Sequence, residues 1–182
     1  IVLNHCIQAG FQHFYFSVNY LKHQIKDYFE DGSKWGVKID YLEETKPWGT
    51  GGGLSLIPKK PSDPLLVVNG DILTRVDFGR LIRHHSNHGA VMTLCVREHT
   101  TQIPYGVVNT TGLRVSGFEE KPVFTSYVNA GIYVLEPELL DVIPEGEFFD
   151  LPQLVQMLTQ DEGHVSAFPI HEYWLDVGLP ES

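Results

Sequence analysis

The run Leu65-Leu66-Val67-Val68-Asn69-Gly70-Asp71 constrains the fold more than any other stretch of the chain. Its unbroken apolar residues, bounded by Pro64 and an Asn-Gly turn signal, predict a strand buried on both faces. Strands of that kind lie centrally in α/β sheets, whose ligands gather in the crevice beyond the carboxyl ends. Asp71 falls at that end beside a glycine that permits close approach, which suits it to hold a cation against a phosphate. The plainer alternative is an ordinary Asn-Gly turn followed by a solvated aspartate.

Before that run, Leu3, Cys6 and Ile7 have helical spacing, and Gly10 is a natural C-cap. No N-cap precedes this helix, so the sequence reads as a piece of something longer. Phe14 to Val18 predicts a strand. Asn19 is a candidate cap for a second helix with Leu21, Ile25, Tyr28 and Phe29 on one apolar face, ending near Gly32. Val37 to Leu42 alternates with period two and predicts a half-buried strand. Strand–helix–strand alternation predicts parallel strands joined by right-handed crossovers.

Trp48-Gly49-Thr50-Gly51-Gly52-Gly53 is costly to order, and a chain keeps such a cluster where backbone must approach something closely. If a short helix starts here, its first amides face the crevice and can meet an anion or a base edge. The cluster has neither the lysine of a P-loop nor the GxGxxG of a dinucleotide fold. After Asp71, Asp77 caps a helix with Phe78, Leu81 and Ile82 inward and His84, His85 and His88 outward. His84 and His88 have the spacing of a metal pair but no third ligand nearby, so they read as solvated histidines. Ala90 to Val96 is another apolar strand.

Gly106 to Asn109 and Leu113 to Phe118, joined by Thr111-Gly112, predict a β-hairpin. Tyr127 to Leu135 predicts a long strand whose internal Gly131 marks close backbone or ligand approach. Asp150 caps a helix with Leu151, Leu154, Val155 and Leu158 inward. Val165 to Ile170 and Tyr173 to Leu175 are short final strands.

A length of 182 residues suits one domain with a full core. The net charge of −10 argues against nucleic-acid binding, which requires a basic stripe, but leaves room for small phosphate-bearing ligands held locally. No apolar run approaches the length of a membrane span, and no basic segment precedes an apolar one at the start. Cys6 and Cys95 sit in apolar patterns, so two buried thiols are expected, as suits a reducing cytoplasm.

Together, Gly-Thr-Gly-Gly-Gly (49–53), Asn-Gly-Asp (69–71), Tyr-Gly-Val-Val (105–108), Phe-Glu-Glu-Lys-Pro (118–122), Asn-Ala-Gly-Ile-Tyr (129–133) and Trp-Leu-Asp-Val-Gly (174–178) resemble the sugar-1-phosphate nucleotidylyltransferases. That family includes mannose-1-phosphate guanylyltransferases and glucose-1-phosphate thymidylyl- and uridylyltransferases. In texture the chain resembles a subgroup whose catalytic domain follows a pair of CBS domains. The resemblance covers residues 1 to 182. It implies an α/β fold: a Rossmann-like three-layer α/β/α sandwich with a mixed, mostly parallel central sheet and the hairpin folded over the sugar.

The implied reaction is in-line attack by a sugar-1-phosphate on the α-phosphate of a nucleoside triphosphate, chemistry that asks for alignment and charge neutralisation. By resemblance Asp71 and Asp176 are magnesium ligands, which should therefore converge despite their separation in sequence. Lys121 would hold the sugar phosphate, and Glu120, Asn129 and Gly106 would meet the sugar. Gly49, Thr50 and Gly51, with Asn69 and Gly70, would meet the nucleotide. The family's Gly-rich loop with an arginine and a Pro-Lys-Pro, which cradles the triphosphate, is absent, along with the first strand. The 182 residues alone are therefore expected to be inactive, and an uncovered sheet edge to invite self-association as a homo-oligomer. Trp48 and Gly52 stand where many relatives have leucine and alanine. Two other readings compete: a sugar-phosphate-binding regulatory module, and a Rossmann oxidoreductase disfavoured by its missing fingerprint.

Overall fold

The computed structural model describes residues 1–178. Helix α1 (Val2–Gln8) leads into β1 (His13–Val18), and α2 (Lys22–Phe29) connects it to β2 (Lys38–Glu43), which pairs with β1 in parallel. A single helical turn, α3 (Gly49–Gly52), continues as a 3₁₀ turn through Leu56. β3 (Leu65–Val68) and β4 (Ile72–Thr74) flank the Asn-Gly-Asp turn, and α4 (Phe78–His88) follows. β5 (Met92–Gln102) and β8 (Val123–Leu135) form a long arm, with β6 (Val107–Thr111) and β7 (Arg114–Glu119) as a hairpin between them. α5 (Leu151–Gln160), β9 (Val165–Ile170) and β10 (Trp174–Asp176) complete the described chain.

The larger sheet runs β3-β8-β5-β9 and is mixed, as expected for this α/β sandwich. Its parallel share is smaller than the sequence implies, because β8 returns along β5 and lies antiparallel to both β3 and β5. Only β5 and β9 are parallel within it. β8 sorts its side chains by alternation. Ala130, Ile132 and Val134 join Cys6, Phe78, Leu81, Cys95 and Phe168 in a core on the α1–α4 side. Tyr133 and Leu135 join Met92, Phe149, Leu151 and Leu154 in a second core on the α5 side. Helices thus cover both faces of one sheet.

Four local expectations are corrected. β3 is half-buried at every position and lies at the sheet's edge, paired only with β8 among the described residues. Its apolar run reflects contact with both cores, through Leu66 and Val68 on one side and Val67 on the other. Asn19 does not cap α2. Its side-chain amide donates to the Glu44 carbonyl, and Leu21 occupies the cap position in a left-handed conformation. Leu21 and Tyr28 of the expected apolar face remain exposed, although Phe29 packs edge-on against Phe16 with ring centroids 5.0 Å apart. The hairpin turn is Gly112-Leu113, since Thr111 pairs with Arg114. Gly112 has φ +60°, as a two-residue hairpin turn requires.

His85 is the fourth correction. The sequence places it on the outer face of α4, but it is fully buried. Its ring links Thr93 Oγ1 at 2.8 Å to Glu136 Oε1 at 3.1 Å, joining α4 to β5 and the end of β8. Of its neighbours, His88 is exposed as read, but His84 is half-buried: its Nε2 bonds Ser166 Oγ at 2.9 Å, and its ring stacks on that of His88 with centroids 4.0 Å apart. Replacing His85 with alanine leaves a cavity and strands the Thr93 hydroxyl. The expected loss is about 3 kcal/mol of unfolding free energy, measured by urea titration.

Both cysteines are free and buried. Burial pushes the Cys6 thiol up to about 11 and the Cys95 thiol up to about 12, from an ordinary 9.0. At neutral pH both are protonated and shielded from thiol reagents. As pH climbs from 9 towards 11, the unfolded chain sheds thiol protons that the native chain keeps, so native stability falls. The urea midpoint should therefore drop between pH 8 and pH 10.5, and Cys95→Ala should flatten that drop.

Candidate active site

Two carboxylates meet at the end of the β4–β10 ladder. These strands pair antiparallel, Trp174 with Thr74 and Asp176 with Ile72, and Val177 N–H donates to the Asp71 carbonyl at 2.9 Å. Trp174 anchors the ladder on β8, its indole N–H donating to the Ala130 carbonyl at 2.8 Å. The Tyr173 carbonyl accepts both Arg75 N–H (2.9 Å) and the Thr74 hydroxyl (3.1 Å). Asp71 and Asp176 are thus brought together, as expected. Both side chains aim at one point, the place a Cβ on Gly178 would occupy. Asp71 Oδ2 lies 2.6 Å from it and Asp176 Oδ1 3.2 Å.

Two neighbouring carboxylates suit a hard divalent cation held between their oxygens, although the Cβ position itself, one bond length from the Gly178 Cα, is too close to carbon for an ion. Among the described residues no cluster of three or more His, Cys, Asp or Glu side chains has metal-binding geometry. The pair thus stands, among the described residues, as two carboxylate ligands, and magnesium, which retains waters and phosphate oxygens, accepts so few protein ligands.

Asn69 and Gly70 immediately precede Asp71 in sequence. Asn69 N–H donates to the Gly131 carbonyl at 2.9 Å. Gly131 has φ +68°, and Asn69 Nδ2 lies 2.9 Å from where a Cβ on Gly131 would stand. A side chain at 131 is thus excluded twice, by backbone and by Asn69. Asn129 shapes the same kink: its Oδ1 accepts Gly131 N–H at 3.1 Å, and its Nδ2 donates to the Tyr133 hydroxyl at 2.5 Å. The β5–β8 register shifts here, between Leu94 and Val96. Much of the hydrogen-bonding capacity of Asn129 is therefore used inside the protein. Gly70 is exposed, with nothing within 4 Å of its Cβ position, so a ligand can approach its backbone freely.

The glycine-rich turn does adopt a short helix, but its amides are taken by the chain itself. Asp150 Oδ1 accepts Thr50 N–H (2.8 Å) and the Thr50 hydroxyl (3.2 Å), and Leu151 N–H donates back to Thr50 Oγ1 at 3.0 Å. Gly51 and Gly52 N–H both donate to the Phe149 carbonyl. Asp150 meanwhile forms a capping box with Gln153 at the start of α5. One carboxylate serves the first amides of two helices. The close approach that the glycines permit is to their own chain. A Cβ on Gly49, at φ +76°, would lie 2.5 Å from Asp150 Oδ1. Opposite Asp150, Glu44 accepts Trp48 N–H at 3.0 Å and the Ser17 hydroxyl at 2.5 Å.

Gly106, Glu120 and Lys121 form a separate group on the hairpin. The Phe118 ring covers the Cβ side of Gly106, and Glu120 Oε2 stands 3.0 Å from the same point. Lys121 has φ +47°, turning the chain from β7 into β8, and its carbonyl accepts the Gln102 side chain at 3.3 Å. Its exposed ammonium has no carboxylate partner among the described residues. The strand from Val123 to Asn129 spans roughly 20 Å at ordinary rise. Lys121 and Glu120 therefore sit together at one end of the arm and Asn129 at the other.

A family model described as nucleotidyl transferase matches residues 1–182. The chain belongs to the nucleotidyl transferase family. It is 32% identical to a mannose-1-phosphate guanylyltransferase of Mycobacterium tuberculosis, over 99% of this chain and 52% of that protein. It is 31% identical to a UTP–glucose-1-phosphate uridylyltransferase of Synechocystis, over 94% of this chain and 49% of that one. The chain spans about half the length of the curated relatives it matches. Its fold is also that of HddC from Yersinia pseudotuberculosis, with a TM-score of 0.71 at 23% identity, over 98% of this chain and 78% of HddC. A nucleotidyltransferase reads most naturally through the Asp71–Asp176 pair, whereas the Gly-rich turn owes its conformation to Asp150.

Sequence reasoning read Asp150 only as the cap of α5 and passed over Glu44 and Ser17. Four glycines within five positions do signal close approach, but the partner is a hundred residues away in the chain. Asp150→Ala removes a cap and frees the Thr50 amide. It should cost about 2 kcal/mol in urea unfolding and speed hydrogen exchange at Thr50, while Asp150→Asn should recover part of both.

Proposed function

We propose that this chain carries the site for nucleotidyl transfer from a nucleoside triphosphate to a sugar-1-phosphate. An oxygen of the sugar phosphate attacks the α-phosphorus, the bond from that phosphorus to the bridging oxygen breaks, and pyrophosphate leaves. The observation that carries this reading is the convergence of Asp71 and Asp176 in a member of the nucleotidyl transferase family. Magnesium, when bound between them, supplies positive charge to the phosphate oxygens.

The chain's own residues divide the remaining work. Asp71 and Asp176 hold the ion in place through a backbone ladder that fixes their separation. Asn69 and the open backbone of Gly70 border the α-phosphate. Exposed Thr50 and half-buried Gly49 meet the nucleotide through the surface that Asp150 leaves uncovered, whereas Gly51 is buried and supports the turn from beneath. Lys121, whose ammonium has no carboxylate partner among the described residues, takes the sugar phosphate once the β5–β8 arm brings it to the Asp71–Asp176 end, and Glu120 beside Gly106 accepts from sugar hydroxyls. Asn129 shapes the floor through its kink. Guanylyl- and uridylyltransferases among the relatives support a sugar nucleotide as product. An HddC structure complexed with GMP-PN, matching at a TM-score of 0.69, supports nucleotide binding by the fold. Free, buried thiols favour the reducing cytoplasm as the setting.

The test is pyrophosphate release by the full-length protein with magnesium, using GTP, UTP and dTTP against mannose- and glucose-1-phosphate. Asp71→Asn and Asp176→Asn should each lower turnover at least about a hundredfold, the scale of removing one charge-stabilising group. Lys121→Ala should raise KM for the sugar phosphate by an amount equivalent to about 2 kcal/mol and leave nucleotide affinity nearly unchanged. No turnover with any pair, or full turnover by both aspartate variants, would exclude this reading.

A further inference from the structure

We propose that Gly178 is a positioning residue for the cation site: its missing side chain is the space in which Asp71 and Asp176 converge. The inference rests on the nucleotidyl-transfer reading and assigns a role to a residue outside the pair.

Nothing in the backbone asks for glycine at this position. The φ of Gly178 lies outside the left-handed region that favours glycine. The three nearest neighbours of an added Cβ all belong to the two aspartates: Asp71 Oδ2 at 2.6 Å, Asp176 Oδ1 at 3.2 Å and Asp71 Cγ at 3.4 Å. A methyl group there meets the two carboxylates and leaves the core untouched. The amide of the same residue donates to Asp176 Oδ1 at 2.9 Å, and the preceding amide, Val177 N–H, holds the Asp71 carbonyl at 2.9 Å. Residues 177 and 178 thus fix both aspartates, one through its backbone and the other through its carboxylate. An alanine at 178 keeps these amides and removes only the space. Asp71, exposed and free to rotate, swings aside at little cost in folding. Its oxygen then leaves the point where a small octahedral ion needs it.

The experiment uses the full-length protein and Mn²⁺, whose aqueous EPR signal reports the free ion. Wild type, Gly178→Ala, Asp71→Asn and Val115→Ala are titrated without nucleotide, and their melting temperatures are measured without metal. Gly178→Ala should weaken Mn²⁺ binding roughly 10- to 100-fold, the range seen when groups supporting metal ligands are changed. Its metal-free melting temperature should stay close to wild type. Val115→Ala, on the exposed hairpin away from the aspartates, should bind like wild type. Two outcomes overturn the role of Gly178 alone: a wild-type affinity in Gly178→Ala while Asp71→Asn binds poorly, or a large fall in its metal-free melting temperature, which would make this glycine a folding requirement. A wild type that does not bind Mn²⁺, or an Asp71→Asn variant that binds equally well, overturns the cation site itself and this inference with it.

Discussion

Like charges do not gather unaided, and the Asp71–Asp176 pair is the arrangement on which the remaining site depends. Side chains alone would relax their repulsion by turning away. The main chain limits how far they can go: the β4–β10 ladder sets the Cα positions, and the Trp174 indole bonds the ladder to the Ala130 carbonyl in the middle of the larger sheet. A hydrogen bond from Gly178 steadies one of the four oxygens. Stored repulsion of this kind is what a small cation relieves, so the energetics that make the pair awkward by itself favour binding.

β8 carries the consequences outward. One of its faces fills the α1–α4 core and the other the α5 core, so its position is fixed from both sides. The kink at Gly131, built by Asn129 and filled by Asn69, lies where that rigid strand passes the Asn-Gly-Asp turn. Beyond the kink the β5–β8 arm leaves the cores, and its side chains become exposed at Phe124 and Tyr127. The result is a stiff base at the Asn-Gly-Asp turn and an open arm beyond it.

Much of this was legible from residues alone. The period-two pattern of 38–42, the Asp77 and Asp150 caps and the hairpin all rest on local chemistry, and the structure contains them. The meeting of Asp71 and Asp176 was accessible only through resemblance, because no local pattern couples residues so far apart. What misled was non-local as well. A short apolar run looks the same whether its strand is central or peripheral, so Leu65–Val68 could not declare itself an edge. His85 looks like its neighbours His84 and His88, and only partners supplied by other elements, Thr93 and Glu136 for His85 and Ser166 for half-buried His84, separate them from exposed His88. Asn19 had the right chemistry for a cap, but a tertiary acceptor, the Glu44 carbonyl, outcompeted the helix.

The clasp between Thr50 and Asp150 has a bearing on how the molecule comes into being. Its two halves are a hundred residues apart, and the glycines between Trp48 and Leu54 have little local preference to order them beforehand. Closing such a span carries a loop entropy that shorter contacts avoid, so pairings of this separation form late. During synthesis the first half of the chain emerges long before its partner segment. The glycine-rich turn therefore stays unordered until α5 has been made, and the conformation it takes in the folded protein is unavailable to the nascent chain.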